Sequence, residues 1–324
     1  MNRTTRSVLP AAVIGLTLVV VAICCTHSSM PTMQFALSRA FGIAVAGDEH
    51  SEELVWDTGS EYSFLSSVAV RDGGLRTRPL AVPICLRDSS GSERMIVNEA
   101  IGVGLRAFEG RHHPDRLPVL ADPGEWFPFS GIIGRDTILA WDWIVDGPRG
   151  LMVRVARGAL REQLGLHGDL TSERVPMRFD KDGVFVHVRL SGRLDVEARL
   201  DTGSWRTLLP AHIIEELDLP SGESAEFAQA ERDAKLIAEK IRSAGIVVGE
   251  PTVAPSGAEA AGVHGARVAL KSYVLGALEI GSVREDGIVI CEAPSGAVVI
   301  GADVLRRWMW ALDSESQAMW LLKD

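Results

Sequence analysis

The segment LDVEARLDTGS, residues 194–204, ends in a tetrapeptide that the chain has already used once, in ELVWDTGS at residues 53–60. The two copies, Asp57 to Ser60 and Asp201 to Ser204, lie 144 residues apart. At average residue usage one given tetrapeptide arises in a chain of this length with a probability on the order of 0.005, so a chance pair is a poor explanation. A second pair of segments aligns without a gap: IIGRDTILAWDWIVD, ending at Asp146, and VIGADVLRRWMWALD, ending at Asp313. Gly134, Asp136, Trp141, Trp143 and Asp146 fall on Gly301, Asp303, Trp308, Trp310 and Asp313. Self-similarity of this kind marks a duplicated structural unit. Each unit reads as an apolar strand, DTGS, a variable middle, then two apolar residues, Gly-x-Asp and a short amphipathic helix.

Alternation and hairpin spacing supply the strands. GVFVHVRLSG followed by LDVEARLDTGS reads as two strands about a tight turn that deliver Asp201 at a strand end, and ELVWDTGS does the same for Asp57. Residues 225–244, within AEFAQAERDAKLIAEKIRSAG, read as a helix by composition and by the glycine that ends it. EPTVAPSGAEAAGVHG after it, rich in Gly, Ala and Pro, reads as a loop or hairpin. The expected units are an N-terminal lobe at 34–153, a connection at 154–172 and a C-terminal lobe at 173–324, preceded by an export signal or membrane anchor at 1–29.

The 324 residues are 46% hydrophobic and 23% charged, enough apolar material for a packed core. The formal charge of −10 disfavours general affinity for nucleic acid or anionic lipid surfaces. Arg3 and Arg6 precede an uncharged run at 8–25, VLPAAVIGLTLVVVAICC, which has the order of an export signal and just reaches spanning length. The expected location is therefore outside the cytoplasm, either membrane-anchored or secreted/periplasmic. Ile23 before Cys24 is bulkier than the residue a lipoprotein signal carries there. Cys85 and Cys291 are the only cysteines of the body, and two separately buried thiols are expected, with one bridge as the alternative in an exported protein.

Two carboxylates at equivalent places in two related units invite a shared site on a pseudo-twofold axis. Like charges a few ångströms apart cannot both ionise cheaply, so such a pair holds one proton between them. One member is then a base and the other an acid. A water between them loses a proton to the ionised Asp and attacks an amide carbonyl, while the protonated Asp donates to the carbonyl oxygen. The scheme calls for no metal, cofactor or covalent intermediate. Gly59 and Gly203 allow a tight turn and let backbone N–H groups approach the carboxylates. Ser60 and Ser204 are expected to donate hydrogen bonds that keep the anion favourable at low pH, which predicts an acidic optimum. Thr58 and Thr202 are too short to reach substrate from a buried turn, so their expected work is to tie the loops together.

On these residues the chain resembles the aspartic protease superfamily. The likeness rests on the two D-T-G-S copies and on Ile132-Ile133-Gly134 and Val299-Ile300-Gly301 downstream of them, and it covers nearly the whole body. In its lengths between motifs each lobe is similar to a retropepsin unit, and in having two fused lobes the chain is similar to pepsin. The resemblance implies a mainly β, bilobal fold of two retropepsin-like β-barrel lobes with a few short helices. It further implies a substrate cleft between the lobes, catalytic Asp57 and Asp201, and crossed hydrogen bonds from Thr58 and Thr202. There are departures. Tyr62 and Tyr273 are the only tyrosines, and neither stands where pepsin-like enzymes carry a flap tyrosine. The flap is expected near Ser89 to Arg94 and an opposing loop near Gly257 to Gly265. No long basic propeptide precedes the first strand, so zymogen control of the pepsin kind is not expected.

Other features have plainer readings. Asp136 and Asp303 are expected as helix N-terminal caps. The tryptophans, clustered at the landmarks, are expected to fill the cores beneath the active loops, with Trp205 or Tyr62 as candidates to line the cleft. His112-His113 has no third ligand at recognisable spacing and reads as a solvated loop. Gly102-Val103-Gly104 with Ala107 imitates a dinucleotide fingerprint, but RHHP soon after it does not continue as a helix. The leading expectation is a monomeric aspartic endopeptidase with a polypeptide substrate. Its rival is a noncatalytic peptide-binding or interaction module of the same fold.

Overall fold

Period-two patterning decides most of the secondary structure. In GVFVHVRL the side chains of Val184, Val186, Val188 and Leu190 are buried, while His187 and Arg189 are not. The computed structural model describes residues 33–36, 41–46, 51–87, 93–103, 116–121, 129–165, 171–221, 258–261, 267–293 and 296–323. In chain order its first half comprises β1 (Met33–Ala36), β2 (Gly42–Ala46), β3 (Ser51–Trp56), β4 (Phe64–Ser66), helix α1 (Ser67–Asp72), β5 (Arg76–Arg87), β6 (Glu93–Ile101), β7 (Arg116–Leu120), β8 (Gly131–Ile133), α2 (Arg135–Ile138), β9 (Asp142–Asp146) and β10 (Leu151–Val155). The second half comprises α3 (Leu160–Gly165), β11 (Thr171–Asp180), β12 (Gly183–Leu190), β13 (Leu194–Leu200), β14 (Leu208–Leu209), α4 (Ala211–Leu217), β15 (Ala258–Ala261), β16 (Arg267–Leu270), β17 (Ser272–Ile280), β18 (Val283–Glu292), β19 (Val298–Ile300), α5 (Ala302–Leu305), β20 (Met309–Asp313) and β21 (Ala318–Lys323). The protein is mainly β, with a few short helices among the described residues.

The duplication seen in the sequence is a duplication of topology. The first unit forms a sheet ordered β2-β3-β8-β4-β7-β6-β5, and the second runs β12-β13-β19-β14-β18-β17 in the same sense. In the second unit β17 also pairs with β12, through Arg189 to Glu279 and Leu190 to Leu278, so six strands close into a barrel. The first unit remains an open sheet among the described residues, extended by the long hairpin of β5 and β6. The expected hairpin ahead of Asp201 is β12 and β13, turned through Ser191 and Gly192 at φ of 50° and 65°.

A six-stranded run, β1-β10-β9-β20-β21-β11, joins the units, with β9 of one beside β20 of the other. Trp143 on β9 and Trp310 on β20 meet Trp56, their ring centroids 5.5 Å and 6.0 Å from the Trp56 ring, and Phe41 lies 5.9 Å from it. All four side chains are fully buried. The indole N–H of Trp143 donates to the Ile138 carbonyl and that of Trp310 to the Leu305 carbonyl, so the repeat reproduces even the polar handle. Aromatic packing therefore sits directly beneath the residue that precedes Asp57.

The two body cysteines do not pair, and only Cys291 is buried; Cys85, on β5, is exposed. This corrects the expectation of two buried thiols. Among the described residues no helix is long and apolar enough to cross a membrane. The segment 1–29, the His112-His113 pair and the helix expected at 225–244 lie outside the described residues.

Candidate active site

Each aspartate leaves the end of a strand that is clamped on a parallel neighbour. β3 pairs with β8 through Leu54 to Gly131, Val55 to Ile132 and Trp56 to Ile133, and the Asp57 N–H continues the ladder to the Ile133 carbonyl at 2.9 Å. β13 pairs with β19 through Ala198 to Val298, Arg199 to Val299 and Leu200 to Ile300, and the Asp201 N–H reaches the Ile300 carbonyl at 3.0 Å. The apolar-apolar-Gly landmarks are thus the strands that hold the DTGS loops. Gly134 and Gly301 are required by close approach, since a Cβ on either would strike the backbone of the opposing loop at Tyr62 or Arg206.

The threonines interlock the loops. The Thr58 N–H donates to Thr202 Oγ1 at 3.0 Å and the Thr202 N–H donates to Thr58 Oγ1 at 3.1 Å. Their hydroxyls continue outward, Thr58 Oγ1 to the Leu200 carbonyl at 2.8 Å and Thr202 Oγ1 to the Trp56 carbonyl at 2.6 Å. Both residues are buried, and each hydroxyl donates once and accepts once, so the lattice leaves little unsatisfied. It brings the two carboxyls together across the unit boundary. A Cβ on Gly59 would overlap the Asp201 carboxyl, and a Cβ on Gly203 would overlap that of Asp57.

Backbone amides, not serine hydroxyls, serve the carboxyls. Asp57 Oδ1 accepts the N–H groups of Gly59 at 2.7 Å and Ser60 at 3.1 Å, and Asp201 Oδ1 accepts that of Ser204 at 3.0 Å. The Ser60 and Ser204 hydroxyls turn away to the Tyr62 and Arg206 carbonyls, both at 2.8 Å. This corrects the expectation that these hydroxyls stabilise the anion, because each is committed within its own turn.

Electrostatically the two halves differ. Burial, and then the negative charge of Asp201, push the Asp57 carboxyl up to about 7, against the opposing pull of the Gly59 and Ser60 amides and of Arg199. Asp201 Oδ2 is ion-paired with Arg199 Nη2 at 2.9 Å. The position equivalent to Arg199 in the first unit holds Val55. A second asymmetry is Arg135, buried where the second unit has Ala302; its guanidinium donates to the carbonyls of Thr58 at 3.1 Å, Gly59 at 3.0 Å and Lys181 at 2.6 Å. Neither arginine is singled out by motif reasoning. The signal available was that each replaces an apolar residue of the other copy.

Asp136 and Asp303 are not the helix caps expected of them, since Gly134 and Gly301 occupy the cap positions. Instead, Asp136 accepts from the Ser63 amide and hydroxyl, and Asp303 from the Thr207 hydroxyl at 2.9 Å, which fastens each helix to the loop after DTGS. Trp205, beside the second DTGS, is half exposed, whereas Tyr62 is partly buried. The turn expected as a flap lies outside the described residues except for Glu93 and Arg94, which open β6. Of the opposing loop expected near Gly257 to Gly265, the described residues are those of β15, which pairs with β16; the rest lies outside the described residues. Among the described residues no group of three or more His, Cys, Asp or Glu is placed to hold a metal ion. No protein-family model matches the chain, and no curated protein is significantly similar to it.

Proposed function

We propose that this chain is an exported aspartic endopeptidase of the aspartic protease superfamily, with two fused lobes that hydrolyse peptide bonds between them. The observation that carries the reading is the reciprocal Thr58–Thr202 lattice, which makes two carboxyls from duplicated strands meet at one place. The raised Asp57 carboxyl supports it, because a pair sharing one proton is what activation of a water requires. In the forward step the ionised aspartate takes a proton from water as its oxygen bonds to the amide carbon. The carbonyl electron pair goes to its oxygen, which receives the proton of the other aspartate. Collapse of the diol reverses these transfers: the C–N bond breaks, nitrogen takes the proton from the first aspartate, and a hydroxyl proton returns to the second.

The duplication supplies internally what a single-lobe enzyme gains by dimerising, so the active form is a monomer acting on an extended polypeptide. Residues 8–25 direct the chain out of the cytoplasm and either anchor it or are removed. The rival reading, a peptide-binding module without turnover, draws on the Arg199–Asp201 ion pair, which commits one carboxylate oxygen.

Digestion of a denatured protein mixture by the full-length chain from pH 3 to pH 7, with and without a statine-type inhibitor, separates the two. Inhibitor-sensitive cleavage that falls by about 10²- to 10⁴-fold in both Asp57→Asn and Asp201→Asn is expected. Cleavage that survives either substitution would sink the reading, and peptide binding without cleavage would favour the rival.

A further inference from the structure

The aspartate of the second DTGS is bonded to a cation, Arg199 on β13, at a position where the first unit has Val55, and nothing in the duplicated architecture calls for it. Taking the aspartate pair as the catalytic pair, we infer that Arg199 is a positioning residue that fixes where the shared proton resides, holding Asp201 as the anion and leaving Asp57 as the acid.

The geometry is built for this contact. Arg199 follows the β13 register opposite Phe185, and its stem lies over Gly183, where a Cβ would come within 2.8 Å of Cδ and 2.9 Å of Cγ. The missing side chain leaves the space through which the guanidinium reaches Asp201. The side chains of Arg199 and Asp201 are only 25% and 13% exposed, so the ion pair is poorly screened by water. Arg199 Nε is buried without a hydrogen-bond partner, a cost that the bond to Asp201 helps offset.

The donor sets of the two carboxyls differ accordingly. Asp201 has one backbone N–H on Oδ1 and a guanidinium on Oδ2, whereas both N–H donors to Asp57 converge on Oδ1. A charge-assisted bond stabilises an anion more than a neutral amide donor does. Among the described residues, Arg135 on α2 is the further charged group that acts on the pair, and Glu61 beside the first loop acts on Arg135. Arg135 is bound to the carbonyls of Thr58 and Gly59 and acts on the carboxyls through space, more on Asp57 than on Asp201, whereas Arg199 bonds Asp201 directly, and the direct charge-assisted contact sets the bias. The rise of Asp57 to about 7 agrees with its keeping the proton.

The consequence is a fixed polarity. Water gives its proton to Asp201, and the carbonyl oxygen takes its proton from Asp57; in collapse the nitrogen is protonated from Asp201 and Asp57 recovers its proton. Cleavage should then persist toward neutral pH, with its alkaline limit set by loss of the Asp57 proton.

The test is a carboxyl titration of full-length protein labelled with ¹³C at aspartate side chains, assigned through Asp57→Asn and Asp201→Asn, alongside the pH profile of kcat/KM. In the wild type, the Asp57 signal should titrate near pH 7 as a single-site event. Arg199→Met should spread each titration step over both carboxyls and raise the acid limb of kcat/KM by at least one pH unit. Arg199→Lys should retain the wild-type pattern, and Gly183→Ala, which crowds the stem without removing charge, should move the limb in the same direction as Arg199→Met. If Asp201 carries the proton in the wild type, or if proton placement is unchanged in a folded Arg199→Met, the inference is overturned. Should the methionine variant not fold, the wild-type titration together with Gly183→Ala decides. Proton placement as stated in a chain that cleaves nothing would uphold the role of Arg199 and remove the endopeptidase reading instead.

Discussion

Replacing Thr202 by valine tests whether the lattice between the DTGS loops stabilises the molecule or merely ornaments it. Valine matches threonine in shape, so no cavity forms and the change is confined to polar atoms. Thr202 Oγ1 accepts the Thr58 N–H and donates to the Trp56 carbonyl, and both bonds lie in the buried centre of the site. Stranding a buried donor or acceptor costs roughly 1–3 kcal/mol each, so the loss of both comes to about 2–6 kcal/mol. The Thr58 hydroxyl retains its bonds to the Thr202 N–H and the Leu200 carbonyl, which argues against complete collapse. Urea unfolding followed by tryptophan fluorescence is a suitable assay, because Trp56 packs beneath the lattice. Thr202→Ser, which keeps the hydroxyl, should retain most of the stability. A Thr202→Val loss below about 1 kcal/mol, or equal losses in serine and valine variants, would refute the reasoning and place the cohesion of the loops elsewhere.

Further outcomes follow from other parts of the molecule. Arg135→Met removes the donors to three carbonyls and should destabilise by on the order of 3 kcal/mol while lowering activity, since two of those carbonyls belong to the first DTGS loop; unchanged stability would show that solvent replaces the guanidinium. Burial pushes the Asp142 carboxyl up to about 6, against the Ser314 and Gly158 amides, and Asp57 stands near 7. Both groups bind protons more tightly folded than unfolded. Their contribution to stability is therefore fully present below the ordinary value of 3.8 and lost as pH rises through about 6 and about 7. The thermal midpoint should fall between pH 4 and pH 7 by an amount that shrinks in Asp57→Asn, and a rising midpoint in that window would contradict the assignment. A thiol reagent applied without denaturant should label exposed Cys85 and spare Cys291, whose thiol is pushed up by burial; peptide mapping reads the outcome, and labelling of Cys291 would mean that the second unit opens.

Local signals made much of this molecule legible in its sequence. The two DTGS copies and the apolar-apolar-Gly segments are contiguous patterns, and strands such as β12 announce themselves by alternation because one face meets the core. The duplication followed from alignment of the chain with itself, and a loop-tying role for Thr58 and Thr202 followed from the shortness of their side chains at a buried turn, their crossed hydrogen bonds being what the family resemblance implied. Those features depend on neighbours in sequence. What a side chain meets across the fold does not. The Ser60 and Ser204 hydroxyls are chemically able to reach a carboxylate, yet the turn directs them to the Tyr62 and Arg206 carbonyls. Asp136 looks like a cap because it opens a helix, but the loop after the first DTGS brings Ser63 within its reach. Cys85 sits in an apolar run, PLAVPICL, and is exposed on β5, the edge strand of the open sheet of its unit. The asymmetry of the aspartate pair is of the same kind. From sequence the two halves are equivalent, since the motifs are identical. In three dimensions, Arg199 reaches one carboxyl through the space left by Gly183, and a charge 2.9 Å away distinguishes groups that the motif cannot.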